Sequence, residues 1–139
     1  MSGSVPPAGL FNIVGSGLLA QQQRMSLIAS NLANANSVAM PGGAPYRAVE
    51  PVFMADPNPT TGTSEVQVAG LVQSNAAPKL KYDPGNPYAN SAGYVQMSNV
   101  EPTQQIVDLI DASQSYASQI AVLNQSERLD SAMIQSFVP

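Results

Sequence analysis

The sequence predicts a mainly α fold: long N- and C-terminal helices pair as a coiled coil around an extended, β-hairpin middle region. Three observations predict it. Near the start, Phe11, Val14, Leu18, Met25, Ile28, Leu32 and Ala35 recur at three- and four-residue spacings, the pattern of a helical seam. Near the end, Ile106, Leu109, Ile110, Tyr116, Ile120 and Leu123 form a second stripe. Between Asn36 and Asn99, Pro and Gly recur and the apolar period shortens. Residues 1–36 and 100–139 are therefore expected to make one core domain, and 37–99 a β/loop insert. No internal repeat or low-complexity linker divides the chain further.

The elements follow in order. Met1–Gly9, with Pro6-Pro7, reads as a flexible lead-in. A helix over Phe11–Ala35 would run about 37 Å at 1.5 Å per residue. Gly15 and Gly17 weaken its first turns by up to about 1 kcal/mol each, so fraying is expected there. Gln21 alone interrupts its stripe. Tyr46–Met54 is a strand candidate that Pro51 pushes to a sheet edge. Glu65–Val72 is a second, with Val66, Val68 and Val72 on one face. Ala55–Ser64, containing Asp56-Pro57-Asn58-Pro59 and Gly62, reads as a long hairpin loop. Lys79–Tyr82 and Tyr94–Met97 are short strand candidates, and Asp83-Pro84-Gly85-Asn86-Pro87 must turn between them. Pro102 suits a first helical turn, where no amide donor is needed. Ser113 interrupts the last stripe. After Leu123 it slips, and Leu129, Met133 and Phe137 continue on a rotated face.

Composition excludes several functions. Only 10% of residues are charged, against about 25% in ordinary domains; such a surface suits being covered. Five basic residues against nine acids give a net charge of −4, which is wrong for nucleic-acid binding. With no cysteine and no histidine, disulfides, thiolate metal sites and the commonest general base are missing. No apolar run approaches a membrane span of ~18 residues, so the chain is not expected to be membrane-embedded. Leu10–Ala20 is short and lacks a basic lead, a poor secretory signal.

Catalytic signals are weak. Asp108 and Asp111 could act as paired carboxylates, but acids near a helix start more simply complement its dipole. Asp56-x-Asn58-x-Thr60 loosely resembles a calcium loop, yet its glycine is displaced and no bidentate Glu follows. Gly15-Ser16-Gly17 lacks the lysine of a phosphate loop. The chain is not expected to be an enzyme, nor to hold a cofactor, metal or small-molecule ligand. The stripes remain, and association through terminal helices is the reading they support. A private two-helix hairpin would account for much of the same burial, but it leaves Leu19, Leu27, Val107 and Val122 off the seams.

Gly15–Gln21 and Ala29–Ser37 resemble the flagellar basal-body rod and hook family. Ser30, Asn31, Leu32, Ala33 and Asn34 match its N-terminal signature. Gly43–Arg47, then Tyr82, Asp83, Pro84, Gly85, Asn86 and Pro87, then Gly93-Tyr94-Val95 and Asn99-Val100, are similar to the proximal-rod members of that family. The resemblance runs from about Phe11 to the C-terminus. Asn86 stands where a histidine is common, Ser98 where a proline is usual, and Gln114 and Gln119 replace frequent charges.

This resemblance implies a structural subunit of the hollow, torque-transmitting rod that crosses the periplasm. It implies export without a cleaved signal peptide, through the flagellar type III apparatus. The implied partners are further copies of the chain, other proximal-rod proteins, the rod-base adaptor and the distal rod. Assembly is expected to rest on Phe11, Val14, Leu18, Met25, Ile28, Leu32, Ile106, Leu109, Tyr116, Ile120 and Leu123. A soluble helical adaptor or secretion chaperone would use the same stripes on one partner helix. An enzyme acting through Asp108 and Asp111 is the remaining alternative.

Overall fold

The computed structural model describes residues 7–137. The element order is α1 (Pro7–Ala33), β1 (Val49–Asn58), β2 (Thr63–Gln73), β3 (Lys79–Tyr82), β4 (Tyr94–Met97) and α2 (Pro102–Phe137). Two terminal helices thus enclose two antiparallel two-stranded sheets, β1-β2 and β3-β4. The expected lead-in is shorter than its sequence suggests. Residues 1–6 lie outside the described part, but Pro7–Gly9 are already helical. Gly15 and Gly17 are interior to α1, and at Gly17 packing replaces the propensity glycine lacks. Gly17 is buried, and a Cβ added to it would stand 3.0 Å from the Gln119 side chain. The glycine lets α2 approach.

α1 and α2 pack side by side and antiparallel. Asn31 meets Gln105, Arg24 meets Asp111 and Gly17 meets Gln119. Burial recurs along α1 at Val14, Gly17, Gln21, Arg24, Ile28 and Asn31, and along α2 at Gln105, Leu109, Ala112, Tyr116, Gln119 and Leu123. Both series alternate three- and four-residue steps, but their content differs from the expected stripes. Glycine, alanine and glutamine occupy much of the contact. The side-chain oxygens of Gln21 and Gln119 are buried there without a protein partner. Gln21 is therefore part of the seam, not a break in it. α2 also keeps one register past Leu123, through half-buried Ser126 and Asp130. The expected slip was a misreading: Leu129 and Met133 are exposed, and the side chain of Phe137 lies outside the described positions.

The β1-β2 ribbon lies along α1. Val66 donates its N–H to Ser16 Oγ at 3.0 Å. The connection is shorter than the loop expected over Ala55–Ser64. Pairing continues to Asn58↔Thr63. The turn closes with Gly62 N donating to Asn58 O at 2.9 Å, and Gly62 has φ 66°, a left-handed conformation that glycine adopts without strain. Pro57 is compatible with the strand because of its edge. Val49 donates outward to Asn31, so Pro51, two residues on, also faces outward. Val66 donates away from β1, so its partner Ala55, and Pro57 beyond it, face the open side as well. Neither proline removes a ladder bond. A bulge between Val52 and Phe53 leaves Ala69 as the extra residue of β2. It changes the parity of the strand. Val68 and Leu71 share a groove with Leu27, and the expected common face of Val66, Val68 and Val72 is not kept.

β3 and β4 pair as the sequence suggests, Lys79↔Met97 to Tyr82↔Tyr94. On the other side of β4, Val38 bridges to Met97 and Ala39 donates to Gln96 O at 2.8 Å. The core at this end is small: Ala35, Ala48 and Val100, with Tyr46 packed against them. Ser98 is fully buried. Its N–H donates to Ser37 O at 3.1 Å, a bond the proline usual at this place would lack.

Candidate functional site

The Ser30–Asn34 signature sits where α1, α2 and the root of the β1-β2 ribbon meet. Asn31 is 1% exposed and makes four hydrogen bonds. Its Nδ2 donates to Val49 O and to Gln105 Oε1, both at 2.9 Å. Its Oδ1 accepts from Val49 N at 2.9 Å and Tyr46 Oη at 3.0 Å. One amide thereby ties α1 to α2 and to the root of the ribbon. Asn34 Nδ2 caps the helix end by donating to Ser30 O, and Ser37 Oγ donates to Asn34 O. Leu32 is half-buried and Ala33 exposed. Sequence reasoning placed Tyr46 and Asn99 in the resemblance without a role for either, and missed Gln105. Asn99 mirrors Asn31: its Oδ1 accepts from Ala48 N at 2.7 Å, and its Nδ2 donates to Ala76 O at 2.9 Å. A polar residue among apolar periodic positions was the available signal for Gln105.

The second group of signature residues forms one corner. Asp83 N donates to Gly93 O, and Asn86 N to Asp83 O. Tyr82 and Tyr94 meet edge-on, ring centres 5.2 Å apart. Gly93 has φ 81°, and a Cβ there would lie 2.9 Å from the Tyr82 ring and 3.2 Å from Pro84. Pro84, Gly85 and Pro87 hold the exposed turn. Gly93→Ala is expected to cost about 2 kcal/mol, through backbone strain and the displaced ring. Thermal melting would show it, and an unchanged midpoint would mean the corner adapts freely.

The other candidates are spent locally. Asp111 pairs with Arg24 at 3.4 Å and Asp108 accepts from Gln104. α2 has no acid in its first turn, so these residues serve side-chain contacts and not the helix dipole, whose effect fades within a turn. Asn58 Oδ1 accepts from Thr60 N and Thr61 N, and Asp56 bonds Gln67. The loop thus closes on itself.

The residues expected at an assembly interface divide in two. Val14 and Ile28 are buried in the α1–α2 seam and cannot serve a neighbour while it is closed. Leu109, Tyr116 and Leu123 are half-buried along it. Phe11, Leu18, Met25 and Leu32 are half-buried at its margin. Ile106 and Ile120 are exposed, the former by 50%. Ile110 and Val107 join them, as do Leu71, Val72 and Met54 on the ribbon. The surface totals 9270 Å², about a third above the ~6,900 Å² of a compact 14.5 kDa monomer. No described helix is long and apolar enough to cross a membrane.

The chain is similar to known proteins over most of its length. The family "Flagella basal body rod protein" matches residues 11–39, and "Flagellar basal body rod FlgEFG protein C-terminal" matches 91–136. The flagellar basal-body rod protein FlgC of Salmonella typhimurium is 49% identical over 115 residues, covering 83% of this chain and 86% of the relative. FlgC of Yersinia enterocolitica is 45% identical over 120 residues, covering 86% and 90%. FlgC of Agrobacterium fabrum is 33% identical over 130 residues, covering 93% and 94%. With likeness of that extent across the helices and the insert alike, the chain belongs to the FlgC family of flagellar basal-body rod proteins, structural subunits and not enzymes.

Proposed function

We propose that this chain polymerises through its terminal helices into the proximal part of the rod. The observation that carries the reading is the exposure of large apolar side chains along α2, Ile106 and Ile110 above all, on a chain with few charges. Residues 1–36 and 100–139 act as the core domain and 37–99 as an insert that bridges neighbours. The finer pairing of α1 and α2 is a coiled coil, and it tightens on assembly. Phe11, Leu18, Met25, Leu32, Ile106 and Ile120 meet other subunits. Val14, Ile28, Leu109, Tyr116 and Leu123 support them from the seam. Rotation is carried by shared helical load, with no bond-making step. Head-to-tail contacts extend an open helix instead of closing a dimer.

The subunit reaches the periplasm through the flagellar export apparatus. There it meets the rod-base adaptor, other proximal-rod proteins and the distal rod. Before assembly the helices lack their outer partners. Amide exchange in α1 and α2 of the dilute chain is therefore expected to be faster than at the Asn31 junction; uniform protection would contradict folding on assembly. Imaging purified basal bodies with this chain located in the density tests the reading directly. Its absence there, with a one-to-one cytoplasmic complex instead, would favour the adaptor.

A further inference from the structure

The β1-β2 ribbon has one face on α1 and one face open. Val68 and Leu71 share a groove with Leu27, and Phe53 and Val66 line a second with Gly17 and Ala20. Side chains alternate along a strand, so the residues between these belong to the opposite face. The register sets Glu50 opposite Val72, Val52 opposite Gly70, Met54 opposite Gln67 and Asp56 opposite Glu65. Val52, Met54 and Val72 are exposed. An apolar strip thus runs along the outer face, with Glu50 at its root and two acids at its tip.

Charge is divided unevenly between the ribbon and the rest of the chain. From Val49 to Gln73 there are three acids and no basic residue. Nine acids less these three leave six against five bases, so the ribbon holds −3 of the net −4. Asp56 and Glu65 stand directly across the strands, where like charges repel and weaken a hairpin. The chain relieves this only in part, through a hydrogen bond that Asp56 accepts from Gln67 Nε2. The ion pairs among the described residues, Arg24 with Asp111 and Lys79 with Glu101, include none of the three ribbon acids. A cation brought to the tip from outside would remove the repulsion.

We infer that the outer face of the ribbon docks on a basic protein other than a copy of this chain. Lysine or arginine side chains of that protein meet Glu50, Asp56 and Glu65, around an apolar contact with Val52, Met54 and Val72. The inference rests on the rod reading above, in which 37–99 bridges neighbours, and adds the face used and the charge of the neighbour. Interfaces join complementary potentials. A copy is the wrong neighbour, because it is itself acidic. Of its five bases, Arg24 and Lys79 are paired and Arg47 donates to Ser74 O.

The experiment is photo-crosslinking in motile cells, with a benzophenone side chain at Val52 or at Val72. Basal bodies are purified, and the adduct and its crosslinked peptide are identified by mass spectrometry. The expected adduct joins this chain to a different protein, at a peptide rich in lysine or arginine. Exchanging the acids for amides, Glu50→Gln with Asp56→Asn and Glu65→Gln, is expected to reduce it about ten-fold, the effect of three surface ion pairs together. The same variant relieves the repulsion at the tip, so the free chain is expected to melt at the same temperature or higher. An adduct between two copies, a peptide without basic residues, or a yield that the amides leave unchanged overturns the inference while the rod reading stands. So does a fall in the melting temperature of the variant, which would mean that the acids serve the fold. No adduct from either position, with the chain present in basal bodies, has the same force. Where both probes keep the chain out of basal bodies, the amide variant decides by its own incorporation: a fall supports the inference and an unchanged level overturns it. Absence of the unmodified chain from basal bodies would instead defeat the rod reading, and this inference with it.

Discussion

Asn31→Ala is expected to destabilise the chain by about 3 kcal/mol, a fall in melting temperature on the order of 10 °C for a domain of this size. Four hydrogen bonds end on this side chain. Removing it leaves the Val49 amide and carbonyl and the Gln105 carbonyl without their partner. A buried group left unsatisfied costs about 1–3 kcal/mol, more than a hydrogen bond contributes on balance. The effect is local first: Val49 and the ribbon root lose amide protection before either helix does. Gln105→Ala removes one of the four bonds and is expected to cost about 1 kcal/mol. Equal losses in the two variants would show that Asn31 is not the junction.

Ile110→Asp is expected to abolish swimming while leaving the isolated chain as stable as before. Ile110 is 53% exposed, so the free subunit has little burial to lose. In an assembled face the new carboxylate would be desolvated without a partner, at a cost of several kcal/mol. The amount of chain in purified basal bodies should fall at least ten-fold. Leu32→Asp is expected to be exported and likewise to be missing from the rod. Ser118→Asp, one position before the seam residue Gln119 where Ile110 stands one after Leu109, is the control and is expected to swim. Normal motility in Ile110→Asp and Leu32→Asp together would remove the terminal helices from assembly.

Periodicity located the helices and β3–β4, because spacing and prolines act locally. It could not say which side of each stripe would be spent inside the chain. Leu18, Met25 and Leu32 outrank Gly17, Gln21 and Arg24 in hydrophobicity, yet the smaller and more polar row faces α2. A sequence ranks residues by their affinity for burial. It does not say which of them the chain buries in its own seam. The bulge at Ala69 was equally silent, since one extra residue changes parity without changing composition. Pro57 misled for a related reason: it reads as a breaker until the open edge it faces is known. The signature was legible as a resemblance. Its physical content, an amide joining three elements, needed the partners in place.

The open edge of β1 bears on how such subunits avoid a wrong polymer. A rod subunit is brought close to other subunits when the rod assembles. An unprotected strand there would offer its backbone to any other copy and seed cross-β fibres. Pro51 and Pro57 deny that edge two of its amide donors, and Asn31 occupies the one at Val49. Phe53 and Ala55 keep their outward amides, so the edge is interrupted and not abolished. An edge broken in three places is a poor template for strand pairing between copies, and the asparagine that ties the fold together supplies one of the breaks.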